Sequence, residues 1–194
     1  MDWFSIALAE VLRWEGRCGH HPDDPGGATC YGITQATYNA WRRSRGEPPQ
    51  PVYRIQDWEV RAIYRERYWA PVAEAWARKD RPGVALYLFD SAVQHGVLRA
   101  QEWATRFRDV LWLYPLEGLG HLNRERVEFY TRLKHFSSFG RGWMRRVARI
   151  MERAVELEQP EGLIRAKRLF LDGAEQPLEK ARRVGDKLYI RRKP

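Results

Sequence analysis

Cysteine is nearly absent: Cys18 and Cys30 are the only two in 194 residues. That excludes a small scaffold held together mainly by disulfides. No apolar run approaches the roughly 18 residues that a membrane-spanning helix needs, which excludes an integral helical membrane protein. The N-terminus, MDWFSIALAEVLRWEG, lacks the basic start of a secretory signal, with Asp2 in its place. It reads instead as an amphipathic helix, so no secretory leader is expected. Internal repeats and low-complexity stretches are missing too, which argues against a solenoid or an array. What is present is a chain 44% apolar, enough to build a core and to exclude wholesale disorder.

The charge is unevenly spread. The formal net charge is +9, carried by 28 Arg and 6 Lys against 25 acidic residues. Residues 1–100 hold 13 basic and 12 acidic residues, a net +1; residues 101–194 hold 21 and 13, a net +8. A basic half is either a solvated face or a surface for a polyanion. No helix-turn-helix, zinc-finger or RNA-binding signature accompanies it, so nucleic acid is not the expected partner.

Punctuation divides the chain into helices. Trp3, Phe4, Ala7, Leu8, Val11, Leu12 and Trp14 recur at helical spacing over 2–15, and Gly16 stops the run. Residues 16–34 form a Gly/Pro/Asp loop running into short β-prone pieces (ATCYGIT). Thr34 can cap a helix over about 35–44. Further helices are expected over 56–69, 82–95, 99–113, 122–134 and 141–157, with a turn over 116–120. The tail from 163 alternates apolar and basic residues and reads as two or three short strands.

The loop after the first helix carries the chemistry. Glu15, on the last turn beside Trp14, is placed where apolar surroundings and the negative helix end both favour a protonated carboxyl. That suits a general acid. The alternative is a solvated helix-end glutamate. Asp24 precedes Pro25, which holds it out of the helical region, and Gly26 and Gly27 allow a sharp reversal. Thr29 and Tyr31 then lie on the short strand that follows. Two carboxyl groups and a hydroxyl in one stretch suit glycoside hydrolysis; a plain surface turn is the other reading. Cys18, His20, His21 and Cys30 sit close together in sequence. They can be free thiols, a Cys18–Cys30 disulfide, or a zinc set for a wall peptidase or amidase, although the C-x-H-H-x8-C spacing matches no common zinc site.

The segment WEGRCGHHPDDPGGATCYGIT resembles the opening motif of glycoside hydrolase family 108, the bacterial and phage N-acetylmuramidases. IYRERYWAPV, LFDSAVQHG and FGRGWMRRV are similar to later family segments, so the likeness runs over about residues 3–155. The resemblance implies a mainly α, lysozyme-like (α+β) fold with a short β-hairpin beside the catalytic helix. It implies cleavage of the β-1,4 bond between N-acetylmuramic acid and N-acetylglucosamine in peptidoglycan, with Glu15 as the acid and no cofactor or metal. Asp24 would stabilise the oxocarbenium-like centre or help activate water, and Thr29 would orient that water on the pattern of phage-type lysozymes, although it is one residue closer than that pattern. By the same analogy inversion is expected over retention, although the sequence does not contain the carboxyl separation that decides it. The sequence departs from the family at Arg17, which replaces a glycine, and at Gln94, which replaces an asparagine. A wall-binding protein that has lost catalysis is the competing class.

Three regions follow: 1–95 catalytic, 96–160 resembling a peptidoglycan-binding module packed into the same globular unit, and 161–194 a β-prone extension. Tyr31, Trp69, Asp90 and Gln94 would line the saccharide groove. Tyr68 and Trp69 can stack on a sugar or pack in the core. Asp90 can wall the cleft or sit buried against backbone donors. Arg141, Arg145, Arg149 and Arg153 form one i, i+4 row, with Arg146 beside it. That row is either a solvated face or a contact for acidic wall polymer, lipopolysaccharide or a membrane surface. With no leader and a substrate outside the cytoplasmic membrane, release through a phage-type pore or a host secretion channel is expected.

Overall fold

The computed structural model describes residues 2–19 and 28–159. His20 and His21 of the alternative zinc set, the carboxylate of Asp24, and the β-prone tail lie outside the described residues. The chain divides into two compact units after Glu158, and the account below concerns the first.

Helix α1, Trp3–Leu12, is capped by Asp2, whose side chain accepts from the Ser5 N–H. It buries Phe4, Ala7, Leu8 and Val11, the face the sequence spacing predicts. It ends earlier than expected, however, with Arg13 as its C-cap. Glu15 therefore lies on a bend beyond the helix, not on its last turn.

Strands β1, Thr29–Cys30, and β2, Ile33–Thr34, form a two-stranded antiparallel hairpin with Cys30 opposite Ile33. The two residues between them, Tyr31 and Gly32, have φ of 51° and 71°. Positive φ at both positions is the turn that matches strand twist in a two-residue hairpin. Tyr31 thus sits in the turn, not on the strand, and the observed reversal is at Tyr31–Gly32. The separate reversal expected at Gly26 and Gly27, ahead of the strand, lies outside the described residues. Thr34 accepts from the Thr37 N–H and starts α2, Gln35–Arg43, as expected.

After a 3-10 turn at Val52–Arg54, α3 (Asp57–Tyr64) continues through a π turn (Arg65–Trp69) into α4 (Ala70–Val72), followed by α5 (Glu74–Arg78). Helix α6, Pro82–His95, is the centre of the core: every residue from Pro82 to Ala92 is buried. Helices α1, α5, α7, α9 and α10 all pack on it. Pro at its first position and Gly96 after its last residue fix its ends.

Two expected boundaries move. The helix predicted over 99–113 is two, α7 (Val97–Arg106) and α8 (Arg108–Leu113), separated at Phe107. The predicted turn over 116–120 lies inside α9, Pro115–Thr131. Gly118 is there for close packing: a Cβ on it would lie 2.7 Å from the Cα of Leu111. Helix α10, Phe136–Glu158, closes the unit. Its last residue returns to the start of α6, where Glu158 accepts from the Gly83 and Val84 N–H groups at 2.9 and 3.0 Å. An anionic acceptor suits a helix N-terminus, and it locks α10 lengthwise against α6.

Candidate active site

The chain leaving α1 is joined to β1 in two ways. Cys18 and Cys30 form a disulfide. Gly19 and Thr29 exchange backbone hydrogen bonds at 2.9 and 3.0 Å. Both cysteines are therefore oxidised, which corrects the free-thiol and zinc readings: a disulfide has no thiolate to offer a metal. Among the described residues no group of three His, Cys, Asp or Glu side chains is placed to hold a metal ion.

This double link brings Glu15 against the hairpin turn. Its side chain is 15% exposed. Arg146 Nη1 donates to Glu15 Oε1 at 2.7 Å, and Gln94 Nε2 reaches the same oxygen at 3.4 Å. The other oxygen, Oε2, faces Gly32, where a Cβ would lie only 2.6 Å away. Tyr64 supports the turn from below, its hydroxyl donating to the Tyr31 carbonyl at 2.7 Å. Burial, then the nearby charge of Glu15, push the Tyr64 phenol well above its usual range, so it remains a donor.

Arg146 is itself held. Its Nε and Nη2 both donate to Asp90 Oδ1, at 2.9 and 2.7 Å. Arg126 Nη2 donates to the other oxygen, Asp90 Oδ2. Asp90 and Arg126 are completely buried. Burial pushes the Asp90 carboxyl up, but the two guanidinium groups outweigh it and hold the group below the usual carboxylate range. The Asp90 carboxylate thus lies between two guanidinium groups, one of which also reaches Glu15. A buried ion pair is tolerated when its geometry and its remaining hydrogen bonds are both good.

Several expected site residues fall elsewhere. Asp90 does not wall a cleft; it is buried, and its partners are arginines rather than backbone donors. Trp69 is 2% exposed and packs between Phe4 and Phe89, at 5.5 and 5.4 Å between ring centroids. It cannot stack on a sugar from there. Tyr68 is half-buried beside Tyr64. Thr29 and Tyr31, both half-buried, stay with the hairpin, and Gln94 touches Glu15. Arg17, the cation expected near Glu15, is exposed. The cation that meets the carboxyl is Arg146.

Arg146 was legible in part. It lies one residue off the exposed row, on the stripe of Ile150 and Ala154, both buried. Arg126 likewise shares a buried stripe with Leu119, Leu122 and Tyr130. An arginine on an apolar stripe is a buried charge in need of a carboxylate. A separate groove of about 810 Å³, lined by Val72, Trp76, Gln101, Arg108 and Trp112 among others, contains none of these residues.

A mostly helical, lysozyme-like unit with one small hairpin, and a carboxyl group set between hairpin and core helix, define the class of glycoside hydrolases. Residues 8–96 match the family model described as glycosyl hydrolase 108. The solved structure of SagA from Brucella abortus is similar: 30% identity, TM-score 0.68, covering 82% of this chain and 97% of that one. Among curated proteins none matches. The chain belongs to glycoside hydrolase family 108, a peptidoglycan hydrolase family.

Proposed function

We propose that the protein is an N-acetylmuramidase that cleaves the β-1,4 bond between N-acetylmuramic acid and N-acetylglucosamine in peptidoglycan. The observation that carries this reading is the Glu15 carboxyl, partly exposed and held on one oxygen by Arg146 and Gln94. Glu15 gives its proton to the glycosidic oxygen as the bond from C1 breaks. Water then adds to the oxocarbenium-like carbon and loses a proton. Asp24 would take that proton or stabilise the cation, and Thr29 would orient the water. Tyr31 and Gln94 would border the sugar.

The same reading places the enzyme outside the cytoplasmic membrane, reached through a phage-type pore or a host secretion channel. The Cys18–Cys30 disulfide supports an oxidising compartment. An anionic wall polymer, lipopolysaccharide or membrane surface remains the proposed second partner, through fewer arginines than the row contains. Arg149 pairs with Glu152, and Arg153 with Glu10 and Glu156. Arg141 and Arg145 are exposed, and among the described residues neither has a partner.

The test compares wild type with Glu15→Gln on purified sacculi, counting reducing ends. A loss of about 10²- to 10⁴-fold is expected for removal of a general acid. Equal release by both proteins would remove Glu15 from the mechanism. Release by neither would favour a wall-binding protein without catalysis.

A further inference from the structure

Glu15 is not positioned by its own helix, which ends three residues earlier. Its carboxyl is held by a side chain 131 residues away in sequence. Arg146 is 7% exposed, and two of its three donor nitrogens are committed to Asp90 Oδ1. Asp90 cannot turn, because Arg126 holds its other oxygen. The third nitrogen of Arg146, Nη1, is left pointing at Glu15 Oε1.

An arginine has donors only. The carbonyl oxygen of a protonated carboxyl is a better acceptor than its O–H oxygen, so the oxygen that faces the arginine is the disfavoured place for the proton that a general acid must donate. In the protonated carboxyl Oε1 is then the carbonyl oxygen and keeps its hydrogen bond, while the proton sits on Oε2. That oxygen lies against Gly32, an exposed residue with no side chain to cover it. The arrangement therefore separates an oxygen held by a cation from one that faces the hairpin turn and, among the described residues, accepts from no cation.

We propose that Arg146 is a positioning residue for the glycosidase reaction: braced by Asp90, it fixes the Glu15 carboxyl through Oε1 and leaves Oε2 to pass the proton to the glycosidic oxygen. Asp90 and Arg126 are the brace and touch no substrate. The inference rests on the muramidase reading of Glu15.

The experiment measures turnover over a range of sacculus concentrations for wild type, Glu15→Gln, Arg146→Gln, Arg146→Lys and the double variant Glu15→Gln/Arg146→Gln. A displaced catalytic group costs about 10²-fold. Arg146→Gln is expected to lose about that much turnover, with the half-saturating sacculus concentration nearly unchanged. Arg146→Lys, which keeps one cationic donor but not the fork, is expected to fall between Arg146→Gln and wild type. Adding Arg146→Gln to Glu15→Gln is expected to lower turnover no further, since a group that acts through Glu15 has nothing to act on once Glu15 is gone. A purely structural role would lower the double variant as much as the single one, and that result would overturn the proposal. So would wild-type turnover in Arg146→Gln. If Arg146→Gln melts below the assay temperature, Arg146→Lys decides, and full turnover in it overturns the proposal. Wild-type turnover in Glu15→Gln instead sinks the muramidase reading itself, whereas an inactive Glu15→Gln beside a fully active Arg146→Gln sinks only the role of Arg146.

Discussion

At Gly32 two constraints coincide. The backbone is left-handed, with φ of 71°, and the space a Cβ would take is filled by Glu15 Oε2 at 2.6 Å. The first constraint alone costs a non-glycine residue about 1–2 kcal/mol. The second is severe because the Glu15 carboxyl has little room to yield: its other oxygen is tied to Arg146. Gly32→Ala is therefore expected to lose about 1–2 kcal/mol of stability, read by urea unfolding. It is also expected to lose more activity on sacculi than that destabilisation explains, because the carboxyl is forced off its position. An alanine variant that is equally active at saturating substrate would show that Oε2 is not confined by the turn. Tyr31, the neighbour in the same turn, carries a similar backbone cost at φ of 51° and is retained through the hydrogen bond from Tyr64 to its carbonyl.

The hairpin is tied to the core by few elements of its own, and the Cys18–Cys30 disulfide is one of them. Its sequence separation is 12 residues, and closing a loop of that size stabilises the folded chain by about 3 kcal/mol on the chain-entropy model. Cys18→Ala/Cys30→Ala, or reduction of the wild type, is expected to lower unfolding stability by about that amount. The Gly19–Thr29 pair would keep the hairpin in place at low denaturant. Identical urea midpoints with and without reductant would show that the bond adds nothing. Helix α6 was legible to the residue, because Pro82 and Gly96 mark its ends and Val84 to Phe89 form an apolar run. Helix α2 was equally legible from the Thr34 cap. The break at Phe107 carries no glycine or proline signal, and Gly118 reads as a turn when its real use is close packing against Leu111. At the proposed site, Glu15 was singled out by its motif. The Arg146–Asp90–Arg126 brace was not, because it joins α6, α9 and α10 across long separations that no local pattern records.

Over the whole molecule, two buried groups make stability depend on acid in separate windows. His95, on the last turn of α6, is enclosed by the rings of Trp103, Phe129 and Tyr130. Burial first, then the charge of Arg126, lower its pKa from the ordinary 6.5 to about 3, against the opposing pull of Asp90; Arg99 and Arg146 add to the lowering. The folded protein thus refuses a proton that the unfolded chain accepts below about pH 6.5. Stability falls as pH drops from there toward 3. Asp90 has the opposite chemistry and the same sign of effect: its carboxyl is held below the ordinary 3.8, so its contribution is full above that value and is lost as pH falls below it. The expected result is a melting temperature that declines steadily from neutrality to pH 4 in the wild type. In His95→Phe that decline should flatten, since among the described residues the buried Nε2 has no hydrogen-bond partner and a phenyl ring gives up nothing there. Asp90→Asn should instead be destabilised at neutral pH, by about 3–5 kcal/mol for breaking a buried pair, and should converge with the wild type only in stronger acid. A wild-type slope between pH 6.5 and 4 in His95→Phe would show that the acid sensitivity originates elsewhere.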